Sequence, residues 1–334
     1  EITKDVMNCF LLLIPVNKIE MIELLLIYGK LDVNYICDAD ISAISPLITA
    51  IKCNSINFVK LFLQQKNIDV NVGMKNKMLP PIFAAIDEDN TEILQLLLEH
   101  SDINANEIIT DISEYTPLTY AFHNKNIEAL KFLINHPKVD INLQIKDQKA
   151  IILDAIENEN TEIIQCFLKN PNIDVNQKYS FTEYFNEEYP LFFYAMCTQN
   201  DEIINLFVNH PKFDYKSIIT IHDVSFSFLT LAFCFEKPAI VKQIFENHLI
   251  DIKINEKVTV FDQPITSLFS STNILHGHTT YLILAIDLGD IDIIKLILEY
   301  PNIDVNAELE FCYENNKQIK FDKTTPIYTA IKNN

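Results

Sequence analysis

Apolar residues along this chain come in two alternating kinds of run. The first kind is short and is usually opened by proline: "SPLITAI" (45–51), "PPIFAAI" (80–86), "TPLTYAF" (116–122) and "TPIYTAI" (325–331). The second carries apolar residues at helical spacing, as in "EILQLLLEH" (92–100) and "EIIQCFLKN" (162–170). Pro46, Pro81, Pro117 and Pro326 suit the first position of a helix, where a missing N–H costs nothing. Each short run ends near an alanine (Ala50, Ala85, Ala121, Ala155, Ala195, Ala232, Ala285, Ala330), small enough for a neighbouring helix to approach closely. Five residues further on stands an N-cap residue: Ser55, Asn90, Asn126, Asn160, Asn200 or Asp290, with Asn17 in a partial first unit. Lys237 breaks that series, but Pro238 beside it starts helices too. Glu92, Glu128, Glu162 and Glu202 then face the positive end of a helix dipole, and Pro137, Pro171, Pro211 and Pro301 stop the second run. The pattern predicts helix pairs. Each helix has about two to three turns, too few to persist alone in water, so the pairs must stack.

A polar tag marks the end of each pair. Asp-Val/Ile-Asn occurs at Asp32–Asn34, Asp69–Asn71, Asp102–Asn104, Asp140–Asn142, Asp174–Asn176 and Asp304–Asn306, with weaker forms at Asp214 and Asp251. The tag ladder and the alanine ladder advance in similar steps, which predicts a true internal repeat. The expected organisation is one domain over 1–334: eight units ending near 34, 71, 104, 142, 176, 216, 253 and 306, and a ninth beginning in 307–334. Three hairpin regions exceed the usual length, at 177–189, 254–280 and 307–325. Within 254–280, "KVTVF" (257–261) is strand-like, so this insertion reads either as an extended hairpin finger or as a tolerated loop.

The pattern "TPLxxA…NxEI[IV]xxL[LI]…DVN" resembles the ankyrin repeat, and the resemblance runs through essentially the whole chain. It implies an all-α solenoid of stacked helix-turn-helix units with projecting hairpin loops. The chain departs from the family pattern in lacking the histidine after "TPL" and nearly all glycine, having four in total. Asn or Asp is expected where the family has its inter-helix glycine.

Composition narrows the function. A net charge of −20 argues against a nucleic-acid partner, and no arginine is present to grip phosphate. The apolar stretch 9–16 is too short to span a membrane. Seven scattered cysteines without a C-x-x-C pair point to a reducing compartment, with the cytoplasm as the expected location. His100, His136, His210 and His248 sit at equivalent helix ends and read as residues favoured there by the helix dipole, too far apart for one metal. His276 and His278 lack further local ligands. No nucleophile has a recognisable catalytic context, and Gly29, Gly73, Gly277 and Gly289 make no phosphate loop. No enzyme activity, cofactor or metal is expected.

What the resemblance implies is a protein-binding surface: the concave face made by the hairpins and the exposed end of each first helix. Matched residue by residue, that face comprises Lys52 with Cys53, Asp87 with Glu88, His123 with Asn124, and Glu157 with Asn158. It continues with Cys197 and Thr198, Cys234 and Phe235, and Asp287 and Leu288. Its acids fit a lysine- or arginine-rich protein partner, and Cys234 and Phe235 read either as an exposed apolar hot spot or simply as cover for the long insertion. Two other functions are compatible with the residues. The repeats would target an enzymatic domain lying outside 1–334, or Asn71, Asn142 and Asn176 would be substrates of an asparaginyl hydroxylase.

Overall fold

A computed structural model describes residues 11–28, 32–38, 43–73, 78–110, 114–143, 145, 149–180, 188–221, 224–261, 276–307, 309–315 and 318–332. Helices fall in pairs: Pro46–Lys52 with Ile56–Leu63, Pro81–Asp87 with Thr91–Glu99, Pro117–His123 with Ile127–Asn135, and Ile151–Glu157 with Thr161–Lys169. The series continues with Leu191–Cys197 and Asp201–Val208, Phe228–Cys234 and Pro238–Glu246, and Tyr281–Leu288 and Ile291–Leu298. Ile19–Tyr28 is the second helix of the first unit, and Pro326–Lys332 opens the last. Asn90, Asn126, Asn200 and Asp290 each accept a hydrogen bond from an amide in the first turn of their helix, whereas Ser55 makes no such cap bond, its hydroxyl donating instead to the Cys53 carbonyl at 3.3 Å. Asn17 is not a cap; it lies at φ 55° in the turn before its helix.

By internal contacts the chain divides into two compact bodies, Glu1–Ala155 with Glu162–Ile173, and Ile156–Thr161 with Asp174–Asn334. In the first body, helices Pro46–Lys52, Pro81–Asp87 and Pro117–His123 pack one upon the next, and the second helices follow them. Ala50, Ala85 and Ala121 are buried in that stack. In the second body Phe228–Cys234, Tyr281–Leu288 and Pro326–Lys332 form the same succession around buried Ala232 and Ala285. Within each body the helix-turn-helix units are stacked one upon the next.

The tag works as a lateral clamp. The Asn71 carboxamide donates to the Asp102 carbonyl at 2.7 Å and accepts from the Asn104 amide at 2.8 Å, bridging one unit to the next. Asn34, Asn106, Asn176 and Asn255 bridge in the same double manner, and Asn142 donates to the Asn172 carbonyl at 2.9 Å. This bonding corrects two tags. In the third unit the bridge is made by Asn106, whose amide donates to Asn104, so the tag is Asn104–Asn106 and not Asp102–Asn104. In the seventh it is made by Asn255, which places the tag at Lys253–Asn255, two residues beyond the Asp251 motif.

Glu107 follows the third tag with one carboxylate oxygen buried and unbonded. Burial, and then the nearby Asp69 carboxylate, push its pKa up. A carboxyl raised on folding stabilises the native state below its unfolded value and loses that contribution as pH rises through the folded one. Glu107→Gln is therefore expected to raise stability at pH 7 by up to about 1 kcal/mol. In urea titrations the gain should vanish near pH 3, below the ordinary carboxylate range.

The inter-helix turns differ from expectation. Asn54, Asp89, Lys125, Glu159, Gln199 and Glu236 all occupy the left-handed region, with φ of 51–60°, and only the first two are Asn or Asp. Two of these side chains are used. Asn54 accepts from the Asn90 carboxamide at 2.9 Å and Glu159 from that of Asn200 at 2.6 Å, so the N-cap of one unit also grips the turn of its neighbour.

Among the described residues strands are confined to the hairpins. Lys178–Ser180 pairs with Glu188–Pro190, and Ile218–Ile221 with Val224–Ser227. The "KVTVF" segment is a hairpin strand: Val258–Phe261 pairs with His276–Thr279, while 262–275 lies outside the described residues. The 307–325 insertion is also a hairpin, Leu309–Asn315 with Gln318–Thr324, and His276–Thr279 pairs with Leu309–Asn315 to fuse the two into one four-stranded antiparallel sheet.

Candidate partner-binding face

The residue before each alanine, and those three and four positions after it, share one face of the first helix. In the first body this face holds Lys52, Asp87, His123 and Asn124 exposed and Glu88 half-buried. Asp87 is held in place: one carboxylate oxygen accepts from the Tyr120 hydroxyl at 2.8 Å and from the Asn124 carboxamide at 3.1 Å, both in the following unit. Burial, reinforced by the hydrogen bond to Asp87, pushes Tyr120 up to about 12. Tyr115 stands edge-on to both Tyr120 (5.9 Å) and His123 (4.9 Å). An open cleft of about 460 Å³ adjoins this group, lined by Asp87, Asp89, Asn124, Lys125, Asn126 and Glu128 among others.

In the second body Glu157, Asn158 and Asp287 are exposed and Thr198 is half-buried. The Thr198 hydroxyl is spent on its own helix end, donating to the Ala195 carbonyl at 2.7 Å. Phe235 is a correction. It is only 4% exposed, with its ring 6.2 Å from that of Phe193, so it packs into the neighbouring first helix and offers no anchor to a partner. Cys234 and Cys197 are likewise inert, their thiols pushed up to about 12 by burial.

Tyr115 and Tyr120 are the face residues that the sequence reading missed. Tyr120 precedes Ala121, three and four positions before His123 and Asn124, so helical spacing contained the signal. Among the described residues no three of His, Cys, Asp and Glu lie close enough to hold a metal ion, and no helix is long and apolar enough to cross a membrane.

A stack of short helix pairs that presents a pre-organised polar surface is a repeat protein of the interaction type. Residues 10–107 and 71–147 match the family model described as ankyrin repeats in three copies. Over that stretch the chain is similar to the ankyrin repeats, a family whose repeats generally mediate protein–protein interaction and are typically non-catalytic. Among solved structures it is similar to the ankyrin repeat domain of Bcl-3, described as a unique member of the IkappaB protein family. Identity there is 14% and the TM-score 0.47, over 66% of this chain and 92% of that one. No curated protein matches it.

Proposed function

We propose that the chain is a non-catalytic scaffold or adaptor, acting in the cytoplasm, that binds a basic protein segment on the first-helix and hairpin face. The observation that carries this reading is the Asp87 carboxylate, exposed at a helix end yet fixed by Tyr120 and Asn124 of the next unit. A carboxylate oriented before binding loses little freedom when a cation meets it. Asp87 and Glu88 on the first body, in a chain of net charge −20, favour a lysine- or arginine-bearing partner, and Glu157 and Asp287 give the second body's own first-helix face the same sign.

Charge reversal tests it. Asp87→Lys, Glu88→Lys, Glu157→Lys is expected to weaken binding of the partners recovered with the wild type by roughly tenfold, about 1.4 kcal/mol. Glu88→Lys, Glu157→Lys alone, which leaves the Tyr120 bond intact, should show part of the loss at unchanged thermal stability. Full retention by the triple variant, its fold checked by circular dichroism, would remove this face from consideration.

A further inference from the structure

His136, His100 and His210 do something that the dipole argument does not anticipate. His136 ends helix Ile127–Asn135, and its ring Nδ1 lies 3.3 Å from the backbone nitrogen of Lys138. Nδ1 of His100 stands in the same relation to Asp102 (3.3 Å), and that of His210 to Lys212 (3.2 Å). A backbone N–H only donates, so in this geometry the ring offers a lone pair at Nδ1; for His136, whose burial disfavours the charged form, that is the neutral imidazole carrying its proton on Nε2. The fifth unit shows the same joint without a titratable group: Asn170 Oδ1 accepts from the Asn172 amide at 2.7 Å.

At His136 the consequences reach the preceding unit, because Lys138 has every polar group engaged. Its carbonyl accepts from Asn106 at 2.9 Å, and its ammonium donates to the carbonyls of Leu98 (2.8 Å) and His100 (2.7 Å). Those carbonyls stand at the C-terminal end of helix Thr91–Glu99, where cations are favoured. We infer that His136 is an acid-released latch: neutral, it holds the Lys138 backbone so that the ammonium closes the neighbouring helix end, and protonated it lets both go.

An imidazolium has N–H on both ring nitrogens and opposes the Lys138 N–H where it had accepted it. Two charged groups bear on the ring. Lys138, on its own segment, disfavours the proton, and Glu99, on the helix packed against it, favours it; burial, the largest influence, also disfavours it. The balance holds His136 below the ordinary histidine value. A depressed histidine contributes stability that is full above about 6.5, its unfolded value, and is lost as pH falls through the folded one. The joint that loosens lies between the two units carrying Asp87, Tyr120 and Asn124.

Amide hydrogen exchange on the full chain, corrected for intrinsic rates, tests the latch at pH 7.5 and 5.5. Peptides over 134–141 and 97–104 should lose roughly three- to tenfold protection in the wild type on acidification, the equivalent of one hydrogen bond. His136→Asn, which supplies an acceptor as Asn170 does, should hold its protection at both pH values. Equal acid loss in that variant would overturn the latch. So would ring ¹⁵N shifts of the wild type showing the His136 proton on Nδ1 at pH 7.5, a readout that does not depend on any variant folding.

Discussion

Phe228→Ala is expected to cost about 3–5 kcal/mol, the largest effect of any single truncation considered for this chain. Phe228 is fully buried at the start of its helix, where four other units place proline. Its ring meets Phe213 at 5.0 Å, Phe192 at 5.2 Å and Tyr215 at 5.9 Å, all near edge-on, and Phe192 and Phe213 also touch at 5.3 Å. Tyr215 is tethered by its hydroxyl to the Val208 carbonyl at 2.6 Å, and Phe192 is buried within helix Leu191–Cys197, so the cluster has little freedom to collapse into the space left. Phe228→Leu keeps most of the volume and should cost under about 1.5 kcal/mol. Urea unfolding followed by circular dichroism would read both. A loss below about 1.5 kcal/mol for the alanine variant would mean that the aromatic cluster does not hold these units together.

The cluster also illustrates what was legible in the sequence. Helix pairs were, because Pro46 or Pro117, a cap such as Asn126 and a 3.6-residue apolar spacing all act within a few residues of one another. The tag was legible as a repeat but not in register. "DINAN" contains two asparagines two apart, and only the bridge from Asn106 to Lys138 and Asp140 in the next unit decides between them. Pairing of His276–Thr279 with Leu309–Asn315 joins segments more than thirty residues apart, beyond any local signal. Phe235 was misplaced for a related reason: its position matches exposed ones by spacing, and its burial depends on Phe193 in another unit. The histidines were placed correctly at helix ends, but which ring nitrogen meets which amide is a matter of geometry that residue type does not carry.

Replacing Lys125, Gln199 and Glu236 together by glycine should stabilise the chain by about 2 kcal/mol. All three hold φ of 53–60° in inter-helix turns, where a side chain with a Cβ costs roughly 1–2 kcal/mol relative to the right-handed region. Glycine relieves that strain but adds freedom to the unfolded chain worth about 0.4–1 kcal/mol, leaving a net gain of roughly 0.5–1 per site. Position decides which turns gain. The side chains of Lys125 and Glu236 are exposed, and at residue 199 it is the backbone carbonyl that receives the Lys237 ammonium, at 2.9 Å, a bond that glycine retains. At residue 54 the balance reverses, since asparagine tolerates the left-handed region and its carboxamide receives Asn90. Asn54→Gly is accordingly expected to be neutral or destabilising. The converse substitution, Gly289→Ala, meets no atom within 4 Å at φ 74°, so any loss it causes is backbone strain net of the freedom that alanine removes from the unfolded chain, with no steric contribution. Urea midpoints for the triple variant, Asn54→Gly and Gly289→Ala would separate the two influences. A triple variant no more stable than the wild type would mean that those turns are retained for what their side chains bind.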